Sequence, residues 1–165
     1  MPLGEEHLDD VRALLDDAEV LRFTRIPEPP PEEFPRQWIE RYERGRRDGS
    51  CEGFAAVDGG DRFLGLALAP TIDREDGEVE LGYIVEAGAR GRGVATEMLR
   101  QLTRWAFDEA GAQRIVLVIN ADNPGSERVA ERCGYVREGL MRSIHLKQGI
   151  RVDAALWSRL PSDPG

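Results

Sequence analysis

Cysteine is scarce in this chain: Cys51 and Cys133 are the two present. They make neither a disulfide framework nor a metal-ligand spacing, so no metal centre is expected and the usage fits a reducing cytoplasm. Cys133 has no His or Asp neighbour to activate it, and it reads as a packed residue rather than a nucleophile. Long apolar runs are missing too, since none approaches the ~18 residues of a membrane span. The first turns are acidic (Glu5, Glu6, Asp9, Asp10) and unlike a secretory signal, so no membrane partner is expected. Positive charge is in deficit, with 22 Lys and Arg against 31 Asp and Glu and a net charge of −9. That balance argues against a nucleic-acid partner, whose phosphates need a basic face. It would favour an approaching cationic amine. What the 165 residues do hold is 41% hydrophobic content, enough for the core of one domain spanning 1–165.

The most informative segment runs from Gly88 to Met98 and includes Arg90, Gly91, Arg92, Gly93, Val94, Ala95 and Thr96. It lies between a strand-like alternation (Glu78–Val85) and a helix whose apolar stripe is Ala95, Met98, Leu99, Leu102 and Ala106. A Gly/Arg-rich turn opening a helix suits a phosphate: the first N–H groups are unpaired, the dipole's positive end faces out, and glycine admits close approach. A Walker A loop would need a lysine, which this loop lacks. A dinucleotide fingerprint would need a small residue at Thr96 and an acid closing the next strand, which ends at Asn120 instead. A plain nucleotide-binding protein is disfavoured on both counts.

The remaining pattern, Arg90-x-x-Gly93-x-Ala95, resembles the pyrophosphate loop of the GNAT superfamily of acyl-CoA N-acyltransferases. A second stretch, Asn120-Ala-Asp-Asn123-Pro124-Gly-Ser126 through Cys133-Gly134-Tyr135, resembles the second signature of that superfamily. Its local chemistry is sound: Asn123 is a good N-cap, Pro124 suits the first turn, and Gly134 can end the helix. The Asn-x-x-Ser form, with Ala130 where many relatives carry tyrosine, is similar to the RimJ/RimL branch, which acetylates protein N-termini. The tail Lys147–Pro161 resembles that branch's closing hairpin, so the likeness extends from about Leu3 to Pro161.

The spacing predicts a first helix over Glu5–Ala18 with Leu8, Val11, Leu15 and Ala18 inward, and His7 on the surface. A Pro-rich loop precedes a second helix carrying Phe34, Trp38 and Tyr42, an aromatic stripe read as core, although the resemblance sets this region over the acceptor pocket. Strands are expected near 51–57, 62–70 and 78–85, with Asp58-Gly-Gly-Asp61 as a hairpin turn. A third helix (92–110), an apolar strand (114–119), a short fourth helix and two strands (135–146 and 150–160) follow. The fold class expected is α/β (α+β mixed), the GNAT fold. It has a central, mostly antiparallel twisted sheet of about six or seven strands and four flanking helices, splayed between the strands at 78–85 and 114–119. The first strand is reduced to a stub at residues 1–3, which leaves its edge pairing open.

The resemblance implies acetyl-CoA as cofactor. Its pyrophosphate would lie on Arg90 to Thr96, its thioester carbonyl on backbone N–H groups around Ile84 and Val85, and its arm near Asn120, Asn123 and Ser126. The Ser126 hydroxyl would meet the departing sulfur. Two bases compete, Glu80 and His145, and the sequence leaves the choice open. About 14% of an α-amine but only about 0.04% of a lysine amine is neutral at pH 7, so the weak base signal fits an α-amine better. The function expected is acetyl transfer to a primary amine, of a peptide or protein N-terminus or a small molecule, in a ternary complex. A catalytically silent acyl-CoA sensor or scaffold is the alternative. A homodimer through the last strands is also possible from the sequence.

Overall fold

A computed structural model describes residues 1–164. Its helices are α1 (Leu8–Leu15), α2 (Ala18–Phe23), α3 (Phe34–Asp48), α4 (Val94–Asp108) and α5 (Pro124–Arg132). Its strands are β1 (Glu52–Val57), β2 (Phe63–Asp73), β3 (Glu78–Val85), β4 (Arg114–Asn120), β5 (Val136–Lys147) and β6 (Ile150–Arg159). The sheet order is β1-β2-β3-β4-β6-β5, antiparallel throughout except for β3 beside β4.

Two cores lie on opposite faces of this sheet. Alternation on β3 sends Val79 and Leu81 to the α4 side, where they meet Met98, Leu99, Leu102 and Ala106. Ile84 points the other way, into a cluster with Val11, Leu14, Ile39 and Tyr42 from α1 and α3. The apolar stripe of α4 is thus the buried face that its helical period requires.

The first predicted helix is instead two. A 3-10 turn (Glu5–His7) leads into α1, and a separate α2 begins at Ala18, which is exposed rather than inward. Asp17 causes the break: its carboxylate accepts from the N–H of Glu19 (2.8 Å) and Val20 (3.4 Å), capping a new helix. Among the described residues, five α-helices therefore replace the four expected. His7 is buried, not on the surface, because its Nδ1 accepts from the Gly4 N–H at 3.2 Å and closes the 3-10 turn. The N-terminal stub does pair with β1. Leu3 N–H donates to Gly53 O (2.8 Å) and Ala55 N–H to Met1 O (2.9 Å).

The parallel pair β3/β4 holds the feature that matters most for a ligand. Glu78, Val79 and Glu80 pair with Arg114, Ile115 and Val116, and there the pairing stops, although both strands continue. The two strands diverge from that point, as the expected splay requires. The β2 side keeps β3 in place: Gly65 stands opposite Val85, and a β-carbon at Gly65 would lie 2.0 Å from Ile84 O. Its φ of +149° also disfavours any side chain. Gly65→Ala should therefore lower stability by at least about 2 kcal/mol. In thermal unfolding that is a Tm fall of roughly 4–8 °C.

Candidate active site

The divergence of β3 and β4 opens one wall of a cavity of about 660 Å³. The start of α5 closes one end, α2 and α3 roof it, and His145 of β5 reaches it from the side. Of the residues singled out from the sequence, Glu80, Ile84, Val85, Arg90, Ala95, Asn120, Asn123, Ser126 and His145 all border this space. Trp38 and Tyr42 are buried and Phe34 half-buried, yet all three also line the roof. The aromatic stripe is core and cavity wall at once.

Backbone geometry decides which amides face the opening. Glu86 N–H donates to Leu64 O (2.9 Å), and the register continues as Val85 beside Gly65 and Ile84 beside Leu66. Bonding alternates every two residues in an antiparallel ladder, so the Ile84 N–H turns to β2 while those of Tyr83 and Val85 turn to the gap. An irregularity in the β2–β3 register lies between Leu68 and Thr71 of β2, opposite Gly82 and Glu80. Pro70, which cannot donate to the ladder, occupies that bulge.

The loop before α4 adopts the conformation an anion cradle needs. Gly91 and Gly93 have φ of +74° and +81°, and Gly91, Arg92 and Gly93 are exposed. Gly93 caps α4, leaving the N–H groups of Val94, Ala95 and Thr96 without helical partners. The Thr96 side of this turn is buried, and Thr96 O accepts from Cys133 Sγ at 3.5 Å. Burial raises the Cys133 pKa, which suits a packed thiol. Arg92, Arg128 and Arg132 form no ion pair among the described residues.

Arg90 is committed elsewhere. Its guanidinium donates to Asp17 (2.6 Å), Glu19 (3.1 Å) and Val85 O (3.1 Å), which ties the phosphate-type loop to α2. Burial pushes the Asp17 pKa up, but hydrogen bonds from Glu19 N–H and from Arg90 outweigh it and leave the carboxyl below its ordinary value. With Arg90 so engaged, the positive charge open to a ligand at this loop is Arg92 and the helix N-terminus.

At the other end of the cavity, Arg25, on the loop after α2, forms an ion pair with Glu80. His145 lies close to both: burial lowers its pKa first, the Arg25 charge lowers it further, and Glu80 opposes. The imidazole is thus uncharged at neutral pH and able to accept a proton. Asn123 Oδ1 accepts from the Ser126 N–H (3.1 Å), so the cap belongs to Asn123 and the Ser126 hydroxyl is left for other work.

Sequence reasoning missed two groups. Arg25 carried no motif, and its partner lies fifty-five positions away. Tyr83 points from β3 toward α5, where its hydroxyl is buried without a hydrogen bond among the described residues and burial pushes its pKa up to about 12. Ser126 opposes that shift and Cys133 adds to it, although no Tyr83–Ser126 contact meets hydrogen-bond geometry. The signal available was Ala130, a small residue where the resemblance expects a tyrosine, which leaves room for another side chain to supply a hydroxyl.

Comparison with known proteins agrees with this geometry. The family described as Acetyltransferase (GNAT) domain matches residues 1–136. An N-acetyltransferase of Bacillus licheniformis, p20, is 24% identical over 97% of this chain and 92% of its own length. The ribosomal-protein-serine acetyltransferase of Escherichia coli is 25% identical over 61% of this chain and 56% of its own. The spermidine N-acetyltransferase of Vibrio cholerae, solved with CoA and spermine, superposes with a TM-score of 0.87 at 20% identity, covering 99% of this chain and 95% of that one. The amides at the start of α4, the free Arg92 and the gap beside β3 fit a CoA molecule in the same terms. The chain belongs to the GNAT acetyltransferase family, resembles its RimJ/RimL branch, and has acetyl-CoA as its cosubstrate.

Proposed function

We propose that the protein moves an acetyl group directly from acetyl-CoA to a primary amine in a ternary complex, the acceptor being a peptide or protein α-amine or a small amine. The observation that carries this reading is one cavity bordered both by the β3–β4 gap and by an uncharged His145. In it the thioester would lie along β3, its carbonyl oxygen accepting from the Val85 N–H. The pyrophosphate would rest on the amides from Gly91 to Thr96, with Arg92 alongside and the arm passing Asn120 and Asn123.

The amine nitrogen attacks the thioester carbon, and the carbon–sulfur bond breaks with its electron pair going to sulfur. His145 takes the amine's proton, and Glu80 orients the amine before attack. Ser126 and Tyr83 donate hydrogen bonds to the departing thiolate. With its pKa near 12, Tyr83 stays protonated and serves as a donor rather than a proton source. An α-amine, already partly neutral near pH 7, asks only modest help from such a base. Acetylation of a ribosomal protein by one relative and of spermidine by a structural neighbour supports an amine acceptor without choosing between them.

Gly93→Val sets a branched side chain at a φ of +81° on the pyrophosphate path. It should raise the acetyl-CoA KM about ten-fold or more, given a strain of roughly 1–3 kcal/mol. An unchanged KM removes the cofactor from this loop.

The pH dependence follows from His145. Its pKa is lowered in the fold, so kcat/KM should fall as pH drops below 6.5 while the imidazole gains its proton. Folding stability should decline over the same window, because the unfolded chain binds that proton more readily. In His145→Ala the acid limb should vanish and kcat fall roughly 100-fold. A limb that survives there and disappears in Glu80→Gln would make Glu80 the base.

For the leaving group, Ser126→Ala and Tyr83→Phe should each lower kcat about ten-fold with little change in acetyl-CoA KM. Tyr83→Phe should also keep or raise Tm, because it removes a buried hydroxyl with no protein partner, a group that costs ~1–3 kcal/mol. Wild-type kcat in both variants would return the two hydroxyls to packing and capping.

A further inference from the structure

The acceptor end of the cavity carries an unusual charge arrangement for an enzyme of amines. Its floor has one carboxylate, Glu80, whose side chain is 19% exposed and already paired with Arg25. A second guanidinium, Arg41 of α3, lines the same end, 5.6 Å from the Tyr42 ring, with one nitrogen donating to Pro70 O at 3.1 Å. The other carboxylate bordering the cavity, Glu19, is held by Arg90. The acceptor end is therefore net positive although the chain as a whole is acidic.

That arrangement sets a condition on the incoming amine. An ammonium that docks on Glu80 must displace Arg25, and the displaced guanidinium then needs an anion. A bare amine or a polyamine brings none and adds charge beside two arginines. A molecule carrying its own carboxylate a few bonds from the amine exchanges one ion pair for two, with no net change in charge.

We propose that the acceptor is such an amine: a free α-amino acid, or a peptide whose first residue is Asp or Glu. Arg25 grips the carboxylate and Glu80 the ammonium, which sets the nitrogen beside His145. Arg25 suits the task because its planar fork matches a carboxylate in two parallel hydrogen bonds, and its 59% exposed side chain is free to turn. The apolar rings of Phe34 and Trp38 are left for the rest of the acceptor.

This assignment rests on the acetyltransferase reading above, and the test separates the two. CoA release is followed with saturating acetyl-CoA and five acceptors: L-leucine and L-leucinamide as one matched pair, the peptides Asp-Ala-Ala and Asn-Ala-Ala as another, and spermidine. Each is run with the wild-type protein, Arg25→Gln and Arg25→Lys. Taking the carboxylate-to-amide ratio of kcat/KM within each protein, and comparing it across variants, cancels the differing basicity of the amines. In Arg25→Gln that ratio should fall about ten-fold or more for whichever pair is used, as expected for loss of a charged hydrogen bond. Arg25→Lys should retain an intermediate ratio. A response in the leucine pair assigns a free amino acid, and one in the peptide pair assigns an acidic N-terminus. Turnover with the same ratio in all three proteins overturns the proposal and leaves acetyl transfer standing, as does a preference for spermidine. No CoA release with any amine overturns both.

Discussion

The separation of two parallel strands is the constraint from which the rest of this molecule follows. β3 and β4 pair over three residues and then part, which leaves backbone N–H and C=O groups of both strands facing an interior space. Buried backbone groups without partners are costly, so a fold that keeps such a gap needs something extended and polar to fill it. In the proposed reading an amide-rich cofactor arm would meet that demand as a missing strand would. Gly65 and the antiparallel ladder to β2 hold β3 rigid on its other side, so the gap cannot close by collapse.

Charge is partitioned along the same gap. The turn before α4 carries helix-terminal amides and Arg92, which forms no ion pair among the described residues, and in the proposed reading these would meet a polyanion, in a chain whose overall charge is −9. The acceptor end offers a Glu80–Arg25 pair and an imidazole kept uncharged by burial and by that arginine. Tyr83 and Ser126 line the same cavity, where in the proposed reaction charge would develop on sulfur. Net charge alone predicts neither end, because local pairing decides what a ligand meets.

Much of this was legible in the chain, and the reasons are physical. β3, β4 and α4 carry strong periodicity and their observed bounds lie within about two residues of those expected, and α5 begins after the Asn123 cap as read. The gap itself came through the resemblance, since no spacing encodes where two strands stop pairing. α2 was hidden because it is six residues long and its cap, Asp17, is one of two adjacent aspartates that read as solvated surface. His7 was misread because its partner is the backbone of Gly4, which has no sequence signature. Arg25 and Tyr83 escaped notice because their significance lies in what the fold brings near them, an ion-pair partner for one and the absence of a protein partner for the other.

The Arg90 clamp joins two regions that the chain keeps seventy-three positions apart at Asp17. One guanidinium fastens the turn ahead of α4 to the capping carboxylate of α2, and a third nitrogen is anchored on the last residue of β3. Roof and cradle are thereby bolted through a single planar group. A movement of either one would have to break or carry along these hydrogen bonds, so the clamp couples the position of the roof to that of the turn before α4.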